Sequence, residues 1–338
     1  MKYSSIVLGL GNIGLMYDFD DTRPHPSSHT LAYVLHPDIK LLYGVDVDVN
    51  KKHALKQLAP EATFVELVDD TWKKEYVDIV SICTPPRFHF DNIKTVLSEL
   101  SPKVVFCEKP LVSDLTEANA LITYLKKNEC GIVIPNISRR WNMGLRAVRD
   151  IIANKRYGDL IKIHIKYTRG IFNTGAHMFD LLNMWTEEKI AWVQSMRKVY
   201  TSSEREGEPS YSFFFEQTDG VYGYAEAMND EDYYVFEIEL FFSKGKIFMR
   251  NSGDDVFFYR TSAHHLFSGY SELSEDDHWG NLLHDSCLGN AIEDIVRYLD
   301  TGEPPQCSLH NAIYPLYVAK ALEKSYLNNG RKEAVKNV

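Results

Sequence analysis

The sequence contains few cysteines, no long apolar run and no excess of positive charge. Only five of its 338 residues are cysteine and no two form a CxxC pair, which predicts buried thiols in a reducing, cytoplasmic compartment. No apolar run reaches the roughly 18–20 residues that span a bilayer, and the opening MKYSSIVLGLGNIG predicts a first strand rather than a signal peptide. The formal net charge of -10 argues against nucleic acid or an anionic membrane as partner.

What is present indicates a folded chain with a large core. Hydrophobic residues make up 44% and charged residues 25% of the sequence, so a disordered or fibrous protein is excluded. The length suits one large domain or two ordinary ones. A change in pattern near residues 130–140 predicts a first domain over 1–136 and a second over 137–338, with the option that the last helix packs on the first domain.

Short apolar runs alternate with amphipathic stretches in the first third of the chain. The runs are rich in Val and Ile and almost continuous, which is typical of strands that are covered on both faces. The predicted strands are 5–8, 41–45, 78–82, 104–107 and 132–135, and the predicted helices are 28–35, 50–57, 90–100 and 115–127. This alternation predicts an α/β domain with a doubly wound parallel sheet of the Rossmann type.

The middle of the chain has strand patterns separated by tight turns. The predicted strands are 161–168, 192–200, 211–216, 221–227, 233–242, 246–249 and 256–260, and the turns include Asp219-Gly220, Lys244-Gly245 and Gly253-Asp254. Strands that follow one another through tight turns predict an antiparallel sheet. Residues 277–280 are expected in a loop, and helical periodicity returns over 282–300 and 311–329. Together these elements predict a C-terminal α+β domain.

A glycine motif follows the first predicted strand and is expected to open a helix. Its residues are Gly9, Leu10, Gly11, Asn12, Ile13 and Gly14. In a dinucleotide-binding loop the first glycine permits a tight turn, the second lets the backbone approach a pyrophosphate, and the third lets the helix pack closely on the strand. The loop is therefore a candidate phosphate cradle.

Asp46 ends the second predicted strand, where a carboxylate accepts the ribose hydroxyls and repels a 2′-phosphate. It favours NAD over NADP without excluding NADP. Asp46 lies 32 residues after Gly14, whereas about 20 is usual, and a polar insertion over residues 17–27 accounts for the excess. Asp48 is a competing candidate.

Three further motifs occur after the glycine motif: SICTPPRFH at 81–89, FCEKPL at 106–111 and GAHMFDLL at 175–182. With the glycine motif, in this order and spacing, they resemble the Gfo/Idh/MocA family of NAD(P)-dependent oxidoreductases, which includes glucose–fructose oxidoreductase, inositol dehydrogenases and nucleotide-sugar dehydrogenases. The resemblance implies a Rossmann domain and a second domain with a large open antiparallel sheet. That sheet often forms the oligomer interface, which implies a homodimer or homotetramer.

The resemblance also implies roles for individual residues. Cofactor contacts fall on Thr84, Pro85, His89, Glu108 and Lys109, with Lys109 at the reacting carbon. The bond before Pro110 is a candidate cis peptide.

The chemistry of alcohol oxidation needs a proton acceptor and a donor to the reacting oxygen. His177 suits the base, and Lys109 suits the stabilisation of developing negative charge. Asp180 lies three residues after His177, on the same helical face, where it either orients the imidazole or serves as a cap or ion-pair partner. Asn173 stands where many relatives carry Asp; it can hydrogen-bond a substrate hydroxyl but cannot take a proton.

Two other groups of residues have more than one interpretation. Arg140, next to Arg139, either binds a sugar, carboxylate or diphosphate or forms a solvated pair at the domain junction. Adjacent His264 and His265 lack the Cys or carboxylate spacing of a metal site, so no metal is predicted.

These features predict an NAD(H)-dependent oxidoreductase that interconverts a secondary alcohol and a ketone on a sugar, cyclitol or nucleotide sugar. Two alternatives remain open. Asn173 suggests a regulator or scaffold that binds the cofactor without turnover, and some relatives use tightly held NAD for internal redox cycling, including glycoside cleavage through a 3-keto sugar.

Overall fold

The computed structural model describes residues 1–67, 76–128, 131–200, 208–231 and 233–336, so Cys130 lies outside the described residues. The chain forms two compact units, one of Met1–Trp141 with Ser286–Ile313 and one of Asn142–Asp285 with Tyr314–Val338. Among the described helices, none is long and apolar enough to cross a membrane.

The first unit is built on a six-stranded parallel sheet in the order β3-β2-β1-β4-β5-β6. Its strands are β1 (Tyr3–Leu8), β2 (Ile39–Asp46), β3 (Thr63–Glu66), β4 (Ile79–Ile82), β5 (Val104–Glu108) and β6 (Ile132–Asn136). This order confirms the predicted doubly wound Rossmann sheet. Only β3 has no predicted counterpart, since it is a four-residue edge strand with one buried side chain.

Helices connect these strands as predicted. They are α1 (His29–Leu35), α2 (Lys51–Leu58), α3 (His89–Glu99) and α4 (Leu115–Lys127). Asp114 caps α4 by accepting the amides of Thr116 and Glu117, and the Glu117 carboxylate accepts the amide of Ser113. These side chains satisfy amides that a helix start leaves without partners.

A helix from late in the sequence also belongs to the first unit. It is α7 (Cys287–Thr301), whose Leu288, Ile292 and Ile295 are buried in that unit's core. The Trp141 indole donates to the Asp294 carboxylate at 3.0 Å. The compact units therefore divide at Trp141 and again near Ser286 and Ile313, and not only at residue 136, because the apolar face of α7 is buried with residues 1–141.

The second unit contains α5 (Met143–Ala153), α6 (Gly175–Thr186) and a nine-stranded sheet. The sheet order is β14-β13-β12-β11-β7-β10-β9-β8-β15, with β7 (Leu160–Tyr167), β8 (Ile190–Tyr200), β9 (Pro209–Gln217), β10 (Tyr222–Ala227), β11 (Phe236–Phe242), β12 (Gly245–Arg250), β13 (Asp255–Ala263), β14 (Ser271–Trp279) and β15 (Glu333–Ala334). All neighbouring pairs are antiparallel except β7 with β10. The predicted antiparallel sheet is confirmed, with one parallel pair.

One face of this sheet forms the core of the second unit. Phe213, Phe215, Ile163 and Ile238 point into it, and from Tyr314 onward α8 (Leu309–Leu327) contributes Val318, Ala319 and Leu322. The last helix is thus divided between the units: residues 309–313 belong to the first unit and residues from Tyr314 onward to the second.

The segment before α7 differs from the prediction. Trp279 is the last residue of β14 and not part of a loop, because its ring packs 4.6 Å from that of Phe258 on the neighbouring strand. The helix expected from residue 282 is a short 3-10 turn, Leu282–His284, followed by α7.

Candidate functional site

The glycine loop after β1 is packed so tightly that two of its glycines admit no side chain. Gly9 has a φ of +95°, and a Cβ there would lie 2.7 Å from the Cys83 carbonyl carbon; a Cβ on Gly14 would lie 2.0 Å from the Gly9 carbonyl oxygen. A Cβ on Gly11 would meet nothing within 4 Å. The loop is a cradle that only bare backbone can form, with open space at Gly11.

The loop does not open a continuous α-helix as predicted. One turn is followed by the 3-10 turn Met16–Phe19, and α1 begins only at His29. The amides of His29 and Thr30 donate to the carbonyls of Ile13 and Gly14 at 3.0 and 3.1 Å. In an uninterrupted helix the amides of residues 17 and 18 would make those bonds.

We call residues 17–28 the insertion, because they separate the glycine-loop turn from α1 without shifting its hydrogen-bond register. Without them Asp46 would follow Gly14 by 20 residues, which is the usual spacing. The inserted segment is organised by the buried Asp18 carboxylate, which accepts the amides of Ser27 and Ser28 and contacts His25 Nδ1 at 2.6 Å. The Ser286 hydroxyl, which caps α7, also donates to the Pro26 carbonyl.

Asp46 lies at the end of β2 against the glycine loop. Its Oδ2 accepts the Leu10 amide at 2.6 Å and its Oδ1 accepts the Asp48 amide at 2.8 Å. Each carboxylate oxygen still has a second lone pair for a hydroxyl. The competing Asp48 uses its Oδ1 to accept the backbone and side-chain nitrogens of Asn50, just before α2.

The residues after β4 are used mainly to fix the backbone. Thr84 Oγ1 accepts the Asn92 side-chain amide at 2.9 Å, and Pro85 is exposed. His89 is fully buried, with its Nε2 2.7 Å from the Thr84 carbonyl and its Nδ1 2.8 Å from the Pro110 carbonyl. Both ring nitrogens of His89 contact backbone carbonyls, and its role as a cofactor contact stays a prediction. His89 links the two strand-end loops.

Glu108, at the end of β5, is the centre of a buried polar network. Its Oε1 lies 2.9 Å from His29 Nε2 and accepts the Asn136 side-chain amide at 2.6 Å, while its Oε2 lies 3.3 Å from the Lys109 amide. His29 Nδ1 contacts the Ser81 hydroxyl, which in turn contacts the Tyr33 hydroxyl. The network ties α1 to the ends of β4, β5 and β6.

The network decides the charge of Glu108. Burial raises the pKa of its carboxyl group, but hydrogen bonds from His29 and Asn136, with the charges of His29 and Lys109, outweigh burial. The net result is a pKa below the usual value, so Glu108 is held as a carboxylate next to Lys109.

Lys109 and Arg140 both lie in the first unit. Lys109 follows β5 directly and is half-buried, and its bond to Pro110 is cis, as predicted. Arg140 lies in the 3-10 turn Ser138–Trp141 after β6, and its side chain is buried. The alternative of a solvated arginine pair therefore does not apply to Arg140.

The remaining candidates lie at the start of α6 in the second unit. Asn173 belongs to a π-helical turn, Gly170–Thr174, that leads directly into α6. His177, in the first turn of α6, is half-buried, whereas Asp180 is buried with 1% exposure. The amides of Phe172 and Asn173 both donate to the Glu208 carboxylate at 2.9 Å.

A group of possible metal ligands lies on the β13–β14 hairpin: His264, His265 and Glu272 offer atoms within 4.8 Å of one another. His264 Nδ1 accepts the amides of Leu266 and Phe267, however, so Nε2 carries the proton of the neutral ring. This geometry opposes metal binding, and the absence of a metal stays a prediction.

Sequence reasoning missed three residues of these sites. His29, Asn136 and Glu208 make their contacts over sequence separations of 79, 28 and 35 residues or more. Of these three, only His29 could have been found from the sequence. If residues 17–28 are omitted, His29 lies in the second turn of the helix that follows the glycine motif.

The residues of the first unit fit a dinucleotide. Of the three glycines in the cradle, Gly11 alone has open space beside it, and Asp46 accepts the Leu10 amide next to it. Within the described residues, Asn136 Oδ1 is a buried acceptor without a hydrogen-bond partner. Residues 5–135 match the family described as "Oxidoreductase family, NAD-binding Rossmann fold". These residues are a Gfo/Idh/MocA oxidoreductase domain.

Similarity to known proteins extends over almost the whole chain. A myo-inositol 2-dehydrogenase of Thermotoga maritima is 23% identical and covers 94% of this chain and 95% of its own. An oxidoreductase from Agrobacterium radiobacter, solved in complex with NAD+, L-tartaric acid and magnesium, has a TM-score of 0.75 at 14% identity, with 99% of each chain covered. The super-repressor mutant of Gal80p from Saccharomyces cerevisiae has a TM-score of 0.76 at 13% identity, covering 100% of this chain and 99% of that one.

Proposed function

We propose that the protein is an NAD-dependent dehydrogenase that interconverts a secondary alcohol and a ketone on a cyclitol, sugar or nucleotide sugar. The observation that carries this proposal is the glycine cradle with Asp46 at its edge, in a unit that matches an NAD-binding oxidoreductase family. The full-length similarity to a myo-inositol 2-dehydrogenase favours a polyol substrate. Asp46 favours NAD because a carboxylate accepts ribose hydroxyls and repels a 2′-phosphate.

The residues of this chain divide the work of alcohol oxidation. NAD, when bound, accepts the hydride from the alcohol carbon. His177 takes the hydroxyl proton, since a neutral imidazole is a suitable base near pH 7. Lys109 donates a hydrogen bond to the reacting oxygen and stabilises its developing charge, and Glu108 holds the backbone that carries Lys109. Asn173, with Asp180 and Arg140, binds the hydroxyls of the substrate.

A fluorescence titration with NADH, and separately with NADPH, tests the cofactor assignment. The five tryptophans make energy transfer to bound nicotinamide measurable. We expect NADH to bind more tightly than NADPH. Preference for NADPH would contradict the role of Asp46, and nucleotide-free protein that bound neither would contradict the dehydrogenase.

Lys109→Ala tests the catalytic assignment. Loss of the group that stabilises the reacting oxygen is expected to lower kcat with myo-inositol or a related polyol by about 100- to 1000-fold, while NADH affinity stays within about twofold. Lys40→Ala, at an exposed lysine on β2, is the matched control. Wild-type turnover in Lys109→Ala would contradict the role of Lys109.

Asn173 favours a second candidate, a cofactor-binding regulator without turnover. The Gal80p neighbour shows that this fold also occurs in a repressor protein. NADH binding without turnover on polyols, sugars and nucleotide sugars would favour the regulator. Cofactor that co-purifies and never exchanges would instead favour internal redox cycling.

We also propose that the protein works in the cytoplasm as a homodimer or homotetramer. Four described cysteines are free thiols, namely Cys83, Cys107, Cys287 and Cys307. Burial raises the pKa of the Cys83 and Cys107 thiols, so they stay protonated. The assembly uses the face of the large sheet opposite its core, where Phe214 and Tyr222 are 41% and 51% exposed.

A further inference from the structure

The turn that carries Asn173 has an unusual backbone. Arg169 is in the left-handed region at a φ of +66°, Gly170 follows at +86°, and the π-helical turn Gly170–Thr174 comes next. A left-handed non-glycine residue costs about 1–3 kcal/mol and persists only where its surroundings hold it. Single π turns are also frequent at functional sites. Something in the second unit must therefore fix this turn.

Glu208, just before β9, and Ser210, within β9, hold it. Glu208 Oε1 accepts the amides of Phe172 and Asn173, both at 2.9 Å, and the Ser210 hydroxyl accepts the Gly170 amide at 3.0 Å. Amides at the start of a helix have no acceptor within that helix. A single carboxylate oxygen thus fixes two consecutive peptide groups, one of which belongs to Asn173.

The fit between Glu208 and the turn requires a glycine. A Cβ on Gly170 would lie 2.1 Å from Glu208 Oε1 and 2.2 Å from its carboxyl carbon. The positive φ of Gly170 also disfavours any other residue. The carboxylate therefore occupies the space that a side chain at residue 170 would fill.

We propose that Glu208 is a positioning residue for the reaction: it fixes Asn173 and, through the helical backbone that follows, the ring of His177. It touches neither substrate nor cofactor in this role. The inference rests on the proposed function, because it takes Asn173 and His177 as the residues that meet the substrate. It adds a residue 35 positions away from Asn173, immediately before β9.

Two substitutions separate hydrogen bonding from charge. Misplacement of reacting groups by about 1 Å can lower a rate about 100-fold, so we expect Glu208→Ala to lower kcat about 10- to 100-fold. Its KM for NAD is expected to stay within about twofold, since the glycine cradle lies in the first unit. Glu208→Gln keeps an acceptor oxygen at the same place and is expected to retain kcat within about threefold. Glu61→Ala, at an exposed glutamate of the first unit, is the control.

Gly170→Ala tests the contact between Glu208 and the turn by changing the turn instead of the carboxylate. The added Cβ displaces the Glu208 carboxylate, so kcat is expected to fall as in Glu208→Ala. In the Glu208→Ala background the clash is gone, and Gly170→Ala is expected to reduce kcat further by less than it does alone. Full additivity of the two substitutions would contradict the contact.

Hydrogen exchange provides a readout that does not depend on turnover. Peptides containing residues 170–174 are expected to exchange faster in Glu208→Ala than in wild type, and at the wild-type rate in Glu208→Gln. If wild type turned over no substrate, the proposed function would fail while this measurement still tested the role of Glu208 in holding the turn.

Three results would overturn the inference. Unchanged exchange and kcat in Glu208→Ala would remove the role altogether. A kcat in Glu208→Gln as low as in Glu208→Ala would show that charge, and not the acceptor position, matters. A lower melting temperature with unchanged kcat would leave Glu208 a purely structural residue.

Discussion

At the scale of single residues, the most consequential contact is the one between His29 and Glu108. Both groups are largely buried, and the imidazole also reaches Ser81 through its other nitrogen. A buried carboxylate is stable only when its oxygens are hydrogen-bonded, and the His29 hydrogen bond is the largest of the contacts that lower the pKa of Glu108. His29 thus links α1, at the end of the insertion, to the strand that carries Lys109.

Replacing this histidine is expected to destabilise the protein. His29→Ala removes a hydrogen bond to a buried carboxylate and leaves a cavity, so the free energy of unfolding at pH 7 should fall by about 2–4 kcal/mol. Denaturant unfolding measures this, with His53→Ala, an exposed histidine on α2, as control. Equal stability of the two variants would contradict the role of the network.

The same variant has a defined pH dependence. The pKa of Glu108 is below its usual value. Its ionised carboxylate therefore contributes fully to the free energy of unfolding above the pKa of an unfolded glutamate, about 4.3, and this contribution is lost as the pH falls through the lowered pKa. The difference in free energy of unfolding between wild type and His29→Ala should therefore be largest at pH 7. It should decrease as the pH falls below about 4.

At the scale of elements, the insertion leaves the helix register intact on either side. The His29 and Thr30 amides already bond to Ile13 and Gly14 as they would in a continuous helix. The insertion also has its own support, in Asp18 and in the Ser286 contact to Pro26. It is an autonomous addition to the glycine-loop helix.

Deletion of residues 17–28 tests this view. The shortened chain is expected to fold and to bind NADH within about threefold of wild type, because neither the glycine cradle nor Asp46 depends on the insertion. Fluorescence titration and thermal unfolding check both points, and Asp18→Ala, which loosens the insertion without removing it, is the comparison. A deletion variant that folded but lost NADH binding would show that the insertion contacts the cofactor.

The elements also show how far sequence patterns reach. Buried parallel strands such as β4 and β5 were predictable because their residues are apolar or small, apart from Glu108 at the end of β5, and the runs are bounded by polar segments. β14 was not, since SELSEDDHW is an acidic edge strand whose charges oppose pairing with other chains. The motif residues were found by pattern, whereas Glu208 acts on backbone amides, which leave no mark in the sequence of the turn.

At the scale of the whole molecule, the exposed face of the large sheet carries several aromatic side chains. Cross-strand neighbours on it include Phe214 with Tyr224, whose ring centres are 5.1 Å apart, and His164 with Phe241 at 5.1 Å. Met196 is 58% exposed on β8. These aromatic side chains lie among ion pairs such as Lys166–Glu237 and Lys246–Glu239. Aromatic residues are enriched at protein interfaces, which is why we place a second copy of the chain there.

A charge introduced on this face is expected to break the assembly. Phe214→Lys should lower the mass measured by light scattering toward that of the 38.9 kDa chain, because a buried unpaired charge opposes association. Leu35→Lys, at an exposed apolar residue of α1, should leave the mass unchanged. A wild-type monomer, or a Phe214→Lys variant of unchanged mass, would contradict this interface.

The interruption of the glycine-loop helix by residues 17–28 has a practical use. Since the chain leaves the helix after one turn and re-enters it in register, residues 17–28 mark a position where foreign sequence can be accommodated. A fluorescent or ligand-binding domain grafted between Phe19 and Pro24 would be joined to the cofactor loop by a single helical turn. Because the insertion is uncoupled from the glycine cradle, such a graft is expected to leave NADH binding unchanged, which makes this position suited to a label that does not disturb the site.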